Sequence, residues 1–269
     1  MVIALAAAGA VGVLAAVWGW FEAGWLRTRV LEVEIAGLPR ELDGLRIAHL
    51  SDFHLGFPSR GRLAVERAVA WTAARSPDLV LVSGDLLARP GGEALLRRLL
   101  AQLEPCVCVL GNHDFGQSRD PFSAPVDLSD LRPARLLFDE AVELELRGLR
   151  VQVVGVDPRS YMAGRARPER IADGTADLRI LLCHFPGIAR KLPAGSFDLV
   201  LAGDTHGGQI ALPYPGGKLG LAHPRVRELE GIFRFPGSLL HISPGLGTTF
   251  VPFRFFARPE VTELVLHSV

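Results

Sequence analysis

Gly111-Asn112-His113-Asp114 follows Cys106-Val107-Cys108-Val109-Leu110, an apolar run short and β-branched enough to predict a buried strand. A glycine there lets the backbone turn sharply, and an amide, an imidazole and a carboxylate follow side by side. On its own the quartet reads as a polar turn. Other apolar runs end alike. Leu45 to Leu50 ends in Ser51-Asp52-Phe53-His54, and Leu79 to Val82 ends in Ser83-Gly84-Asp85. Leu199 to Ala202 ends in Gly203-Asp204-Thr205-His206-Gly207-Gly208-Gln209, and Ile180 to Cys183 ends in His184. Ligands of open α/β sheets lie beyond the carboxyl ends of the strands, so Asp, Asn and His gathered at that edge predict a metal cluster.

The chain has 269 residues, 49% of them apolar, with 29 basic and 29 acidic side chains. That suffices for one large domain with a substantial core. Zero net charge argues against nucleic acid as a partner, since broad binding needs a basic face. Cys106, Cys108 and Cys183 read as small buried hydrophobes, and the lack of a thiolate set excludes a structural zinc ribbon.

Val2 to Phe21 carries no charge and would cross a bilayer core of about 30 Å at 1.5 Å per residue. Trp18, Trp20 and Trp25 sit at its carboxyl end, as an interfacial belt would. Residues 1–26 are therefore expected to be a transmembrane anchor and 30–269 the catalytic domain. Arg27, Arg29 and Arg40 follow the segment and no basic residue precedes it, which predicts a single-pass inner-membrane protein with its domain on the cytoplasmic side. Ala4, Ala8, Gly12 and Ala16 form a small-residue stripe through which two anchors would pack into a homodimer, although frequent alanine explains it equally well.

Along the domain, Val30 to Ile35 alternates as a strand with one solvated face, and Arg62 to Ala74 and Glu93 to Leu103 have helical spacing. The resulting β-α-β-α-β order predicts a parallel sheet. Gln117 to Phe138 reads as a loop with one short helix, and Ala141 to Leu146 with Val151 to Val156 as a hairpin opening a second sheet. Arg159 to Thr175 and Leu212 to Leu229 read as loops, and Leu239 to Ile242, Phe250 to Phe256 and Val261 to Leu266 as antiparallel strands.

Asp52 and His54 are two apart, as are Asp204 and His206, so on an extended chain each pair shares a side. Carboxylate oxygen and imidazole nitrogen suit Mn, Fe, Zn or Mg. Asp85, between the pairs in chain order, is the natural bridging ligand. Two such ions about 3.5–4 Å apart acidify a shared water and clamp a phosphoryl group, which is the chemistry of phosphate ester hydrolysis.

These elements, Asp-x-His, Gly-Asp, Gly-Asn-His-Asp, a single His and Gly-x-Thr-His-Gly-Gly-Gln in this order, resemble the calcineurin-like metallophosphoesterases from about Leu31 to Leu266. Leu38-Pro39 before Ser51-Asp52, and Pro259-Glu260 near the end, are similar to its membrane-anchored bacterial branch of phosphodiesterases and UDP-2,3-diacylglucosamine pyrophosphatases. The resemblance implies a sandwich of two mixed β-sheets flanked by helices, and two divalent ions, with Mn expected first. Carried over motif by motif, it implies Asp52, His54 and His206 on the first metal, Asp85 bridging, and Asn112, His184 and Asp204 on the second. It implies His113 as general acid, facing the leaving oxygen and positioned by Asp114, with a metal-bridging hydroxide as nucleophile. His49, His223, His241 and His267 match no ligand position. Asp204 stands where the family usually has histidine, which puts a third negative charge in the site and the second metal in question.

The implied function is hydrolysis of phosphodiester or pyrophosphate bonds at the membrane surface, on a lipid or nucleotide-sugar lipid. The alternatives are a phosphodiesterase for soluble or cyclic nucleotides, and a catalytically silent metal-binding scaffold that would not need His113-Asp114. Ile232-Phe233, Phe235 and Leu239-Leu240 would either pack the second sheet or line an acyl groove, and core packing is the simpler reading.

Overall fold

The apolar runs become strands, and their pairing decides where the polar ends meet. The structure is a computed structural model that describes residues 2–222 and 224–269, with side chains from Ala7 onward. The chain forms α1 (Val2–Glu22), β1 (Arg27–Ile35), β2 (Leu45–Leu50), α2 (Gly61–Arg75), β3 (Leu79–Ser83), α3 (Glu93–Leu100), β4 (Cys106–Val109) and β5 (Arg135–Leu136). It continues through β6 (Glu140–Leu146), β7 (Leu149–Gly155), α4 (Pro158–Met162), β8 (Leu178–Leu182) and β9 (Leu199–Ala202). The last strands are β10 (Ala211–Tyr214), β11 (Gly217–Gly220), β12 (Gly231–Phe235), β13 (Ser238–Ile242) and β14 (Glu260–Ser268).

Two six-stranded sheets result, ordered β1-β14-β2-β3-β4-β5 and β12-β13-β9-β8-β7-β6, with β10 and β11 as a separate hairpin. Both are mixed. β2, β3 and β4 run parallel, while β14 is antiparallel to β2 and parallel to β1. β7, β8, β9 and β13 run parallel, with β6 and β12 antiparallel at the edges. Leu79, Leu81, Val107 and Val109 of the first sheet meet Val151, Val153, Ile180 and Leu201 of the second in the core between them. The alternate residues Val80, Val82 and Cys108 face outward and are covered by Val65, Val69, Leu96 and Leu100 of α2 and α3. Both faces of β3 and β4 are thus buried, which is why these runs are continuously apolar. A cavity left by Leu81→Ala would cost about 2–5 kcal/mol. The architecture is the expected α/β sandwich.

Several expectations need correction. Phe250 to Phe256 is not a strand: Phe250 and Phe256 adopt φ of 58° and 53°, and only Phe255 bridges, to Ile210. β13 pairs antiparallel with β12 alone, and β14 makes a parallel pair as well as an antiparallel one. The glycine- and proline-rich stretch after Leu212 contains the β10–β11 hairpin, whose register runs from Ala211–Gly220 to Tyr214–Gly217. The loop after Gln117 contains no helix among the described residues, only β5.

The expected amino-terminal helix forms, but among the described residues no helix is long and apolar enough to cross a membrane. The last turn of the helix docks onto the segment around Arg254 and Ala257. The Gly19 carbonyl accepts from Arg254 N at 3.0 Å. Buried Glu22 accepts from Ala257 N at 2.9 Å and from Trp18 Nε1 at 3.0 Å. Further out, Val11, Leu14, Val17 and Trp20 remain exposed.

Candidate metal centre

The carboxyl ends of β2, β3, β4, β8 and β9 converge at one edge of the sandwich. The backbone there leaves strand geometry at once. Asp52, His54, Asp85, Asp204 and His206 all have positive φ, between 43° and 70°, a region that non-glycine residues seldom occupy. Asp52 and His54 therefore do not share a side as residues of an extended strand; turned backbone brings them together, whereas Asp204 turns toward His184 and His206 toward Asp52 and His54. Strain of this kind persists where the surroundings over-determine it, as at functional sites. The glycines beside these residues serve close approach. A Cβ on Gly111 would collide with the Asp85 carboxylate, and one on Gly203 with Ser51 and Asp52. Gly111 has no positive φ, so space rather than turning requires glycine there.

One donor atom from each of Asp52, His54, Asp85 and His206 lies within 4.8 Å of all the others, and all four residues are buried. His54 Nε2 and His206 Nε2 are 3.2 Å apart, His206 Nε2 is 3.4 Å from Asp52 Oδ1, and His54 Nε2 is 3.4 Å from Asp85 Oδ2. Two nitrogens bound to one ion at about 2.1 Å in tetrahedral geometry stand about 3.4 Å apart, so this set fits a divalent cation. On the other side of Asp85, His184 Nε2 is also 3.4 Å from Asp85 Oδ2 and 3.7 Å from Asp204 Oδ1. Asn112 Oδ1, His184 Nε2 and Asp52 Oδ2 are buried without hydrogen-bond partners. Buried polar atoms are costly unless paired or bound to metal, and these three belong to the expected ligand residues. The second group fits a cation too, with Asn112 and Asp204 as its half-buried members.

Neighbouring groups orient the histidines. His184 Nδ1 lies 2.8 Å from the Ser83 carbonyl, an acceptor only, so Nδ1 carries a proton and Nε2 is the nitrogen turned toward Asp85. Ser83 Oγ also meets His49 Nε2 at 2.9 Å, and His49 Nδ1 meets His241 Nδ1 at 2.7 Å. Burial pushes His49 well below the usual histidine range and His241 down to about 3, so this pair is a neutral bridge between the sheets, away from the ligand positions. His267 ties Glu32 to Asp43 at the surface. His223 lies outside the described residues.

Burial, reinforced by Asp85 and Asp204 and opposed by His184, pushes Asp52 up to about 7. Burial also takes His54 down to about 3, with the rings of His113 and His184 contributing. Burial would raise Asp85 as well, but the rings of His184, His113 and His54 together hold it below the usual carboxylate range. Together the three shifts describe carboxylates and imidazoles crowded in one buried space, a donor density that suits cation binding.

His113 Nε2 lies 3.9 Å from Asp85 Oδ2 and faces the same space. Asp114 does not reach its ring. The Asp114 carboxylate accepts from Leu86 N, Leu87 N and Gly111 N at 3.2, 2.9 and 2.9 Å, stitching the turn after β3 to the turn after β4. The ring of His113 instead meets Ser118 Oγ at 3.0 Å, and that hydroxyl accepts from Asp120 N at 3.1 Å. Sequence reading missed Ser118, which lies in a loop without pattern. It also missed Arg254, fully buried, which donates to the carbonyls of His206, Pro244, Gly247 and Ala257 and has Nη2 3.4 Å from His206 Nδ1. Burial lowers its guanidinium to about 10, so it remains charged at neutral pH. Its position inside Phe253-Arg254-Phe255 gave no signal beyond strand-like alternation.

A profile described as calcineurin-like phosphoesterase matches residues 45–208. An uncharacterized metallophosphoesterase of Bacillus subtilis, YkuE, is 29% identical over 96% of this chain and 93% of its own length. The pyrophosphatase LpxG of Chlamydia trachomatis, named for UDP-2,3-diacylglucosamine, is 27% identical over 91% of each chain. The Escherichia coli phosphodiesterase YaeI is 25% identical over 92% of this chain and 89% of its own.

Proposed function

Because this chain belongs to the calcineurin-like phosphoesterase family, a family of phosphate ester hydrolases, we propose that it cleaves phosphodiester or diphosphate bonds with two divalent ions at a membrane surface. One observation carries the two-ion reading: Asp85 Oδ2 stands 3.4 Å from His54 Nε2 on one side and 3.4 Å from His184 Nε2 on the other. Asp52, His54 and His206 would hold one ion, Asn112, His184 and Asp204 the other, and Asp85 both. When bound, the ions would acidify a water and neutralise charge on the phosphoryl group, with Mn the expected native metal.

The protein's own groups supply the rest. His113, facing the space beside Asp85, holds the proton that passes to the leaving oxygen. Ser118 orients that ring, and Asp114 fixes the two turns on which Asp85 and His113 sit. Arg254 holds the His206 turn against the segment on which α1 docks. The exposed apolar side chains of α1, with Trp18, Trp20 and Trp25 at its end, support action at a membrane surface. Arg27, Arg29 and Arg40 beyond them favour its cytoplasmic side.

The test is a panel of purified protein with Mn, Mg, Fe and Zn against diesters, monoesters and diphosphates. Metal-dependent release from diesters or diphosphates is expected. Absence of turnover with every metal and ester would overturn the assignment. A carboxyl-terminal reporter active only outside the cytoplasm would overturn the orientation.

A further inference from the structure

Resting on the reading that His113 faces the leaving oxygen, we propose that the cavity on its side of the centre is a leaving-group subsite for an alcohol bearing an alkyl chain. This cavity, of about 630 Å³, is polar where Asp85, Asn112 and His113 form its floor. Gln117, Arg119 and Gln209 also line it, and beside them stands an apolar group, Ile210, Leu221, Phe250 and Val251. None of these four belongs to the three apolar clusters of the fold, so core packing does not account for them.

Phe250 is the clearest case. Its side chain is 47% exposed, and its backbone has φ 58°, a strained conformation for a bulky residue. Hydrogen bonds from two segments hold the backbone there. Asp120 Oδ2 accepts from Thr249 Oγ1 at 2.7 Å and Phe250 N at 2.8 Å. Gln209 Nε2 donates to the carbonyls of Thr249 at 2.7 Å and Val251 at 3.2 Å. Leu221, 52% exposed, is tied to the same wall through its amide, 2.9 Å from the Ile210 carbonyl. Exposed apolar side chains that are clamped in place and rim a reactive cavity mark a binding surface. The cavity on the far side of Asp204, of about 430 Å³, carries more charge, with Arg190, Arg225 and Glu228 beside apolar Phe185, Val226 and Phe235. A diester with unlike halves would be sorted, its charged or polar half beside Asp204 and its alkyl half beside His113.

The step consumes one water. Its oxygen bonds to phosphorus, the P–O bond to the alkyl half breaks, and His113 gives a proton to that oxygen. The alkyl alcohol departs, a phosphate monoester of the other half remains, and the proton lost by water restores the balance.

Methyl n-alkyl phosphates test the assignment, because the released alcohol reports which half faced His113. With the Mn-loaded protein, release of octanol from the octyl ester should exceed release of methanol, and kcat/KM should rise at least about tenfold from ethyl to octyl. Phe250→Ser and Leu221→Ser should flatten that rise and shift product toward methanol; Phe250→Leu should retain the preference. Calorimetry with ethyl and octyl methylphosphonates should give the same ranking without turnover. Octyl ester free in solution and dodecyl ester in phosphatidylcholine vesicles separate a dissolved ester from a membrane lipid as the source, and chain preference in either supports the subsite. Hydrolysis with no chain-length dependence, or with methanol as the main product, would overturn it. Absence of any hydrolysis would instead remove the hydrolase reading on which it rests.

Discussion

The two halves of the proposed metal centre are built differently. Asp52, His54 and His206 are buried on turns locked by glycine contacts and by the Arg254 cage. In the other half Asn112 is half-buried, and the Asp204 side chain is 31% exposed. The amide of Asp204 donates to Asp52 Oδ1 at 3.3 Å, so its backbone belongs to the first half while its carboxylate reaches toward the second. A rigid, enclosed donor set binds tightly and admits little variation. An open set with a hard oxygen in place of an imidazole exchanges its ion more readily and selects for different metals. In the proposed two-ion reading, the enclosed half would be the anchor of the centre and the open half its adjustable part.

Asp85 belongs to both halves, so removing its charge should break the comparison outright. Asp85→Asn is expected to lose metal from both and to lower kcat by about 10³-fold or more. Mass spectrometry for metal content beside steady-state rates checks this, and a variant with full metal and near-normal rate would contradict the shared role.

His113→Ala should leave both halves loaded and lower kcat by about 10²–10⁴-fold, less for esters whose leaving groups need no proton. Stoichiometric loss of metal in that variant would make His113 a ligand.

Asp204→His sharpens the contrast by giving the open half a nitrogen donor. Activity should move from preferring Mn toward accepting Zn, and the acidic limb of the pH–rate profile should move to lower pH, since one negative charge fewer leaves the bound water more acidic. An unchanged metal preference with an unchanged limb would remove the Asp204 carboxylate from ion binding.

The smallest effect lies far from both halves. Glu32, and then Asp43, raise His267 above its ordinary value of 6.5. A group whose folded value is raised contributes stability in full below the unfolded value and loses it as pH rises through the folded one. His267→Asn should therefore lower Tm slightly at pH 5.5 and not at pH 9. An equal loss at both pH values would show that the charge plays no part.

Much of the centre was legible because its residues sit in strand-end turns, where short apolar runs stop and chemistry-bearing residues begin. The strands β2, β3, β4, β8 and β9 were legible for the same reason, being buried on both faces. What was not legible depends on contacts distant in sequence. Ser118 meets His113 from a loop whose Asp120 is latched to Thr249 and Phe250, residues about 130 positions away across the cavity. The burial of Arg254 follows from carbonyls of four separate residues, which no local pattern encodes. The family resemblance implied Asp114 as a partner for His113, whereas the turn aims its carboxylate at three backbone amides. The β10–β11 hairpin hid in a stretch whose glycine and proline read as loop, and the docking of α1 hid in Glu22, an acid at the end of an apolar run.

Mn titration of metal-stripped protein, followed in parallel by calorimetry and by turnover of a phosphodiester, tests the two-half account most directly. The account predicts two binding steps, the tighter silent and the weaker carrying the rise in activity, with Asp204→His altering only the weaker. A single binding step with full activity at one equivalent of metal would contradict it.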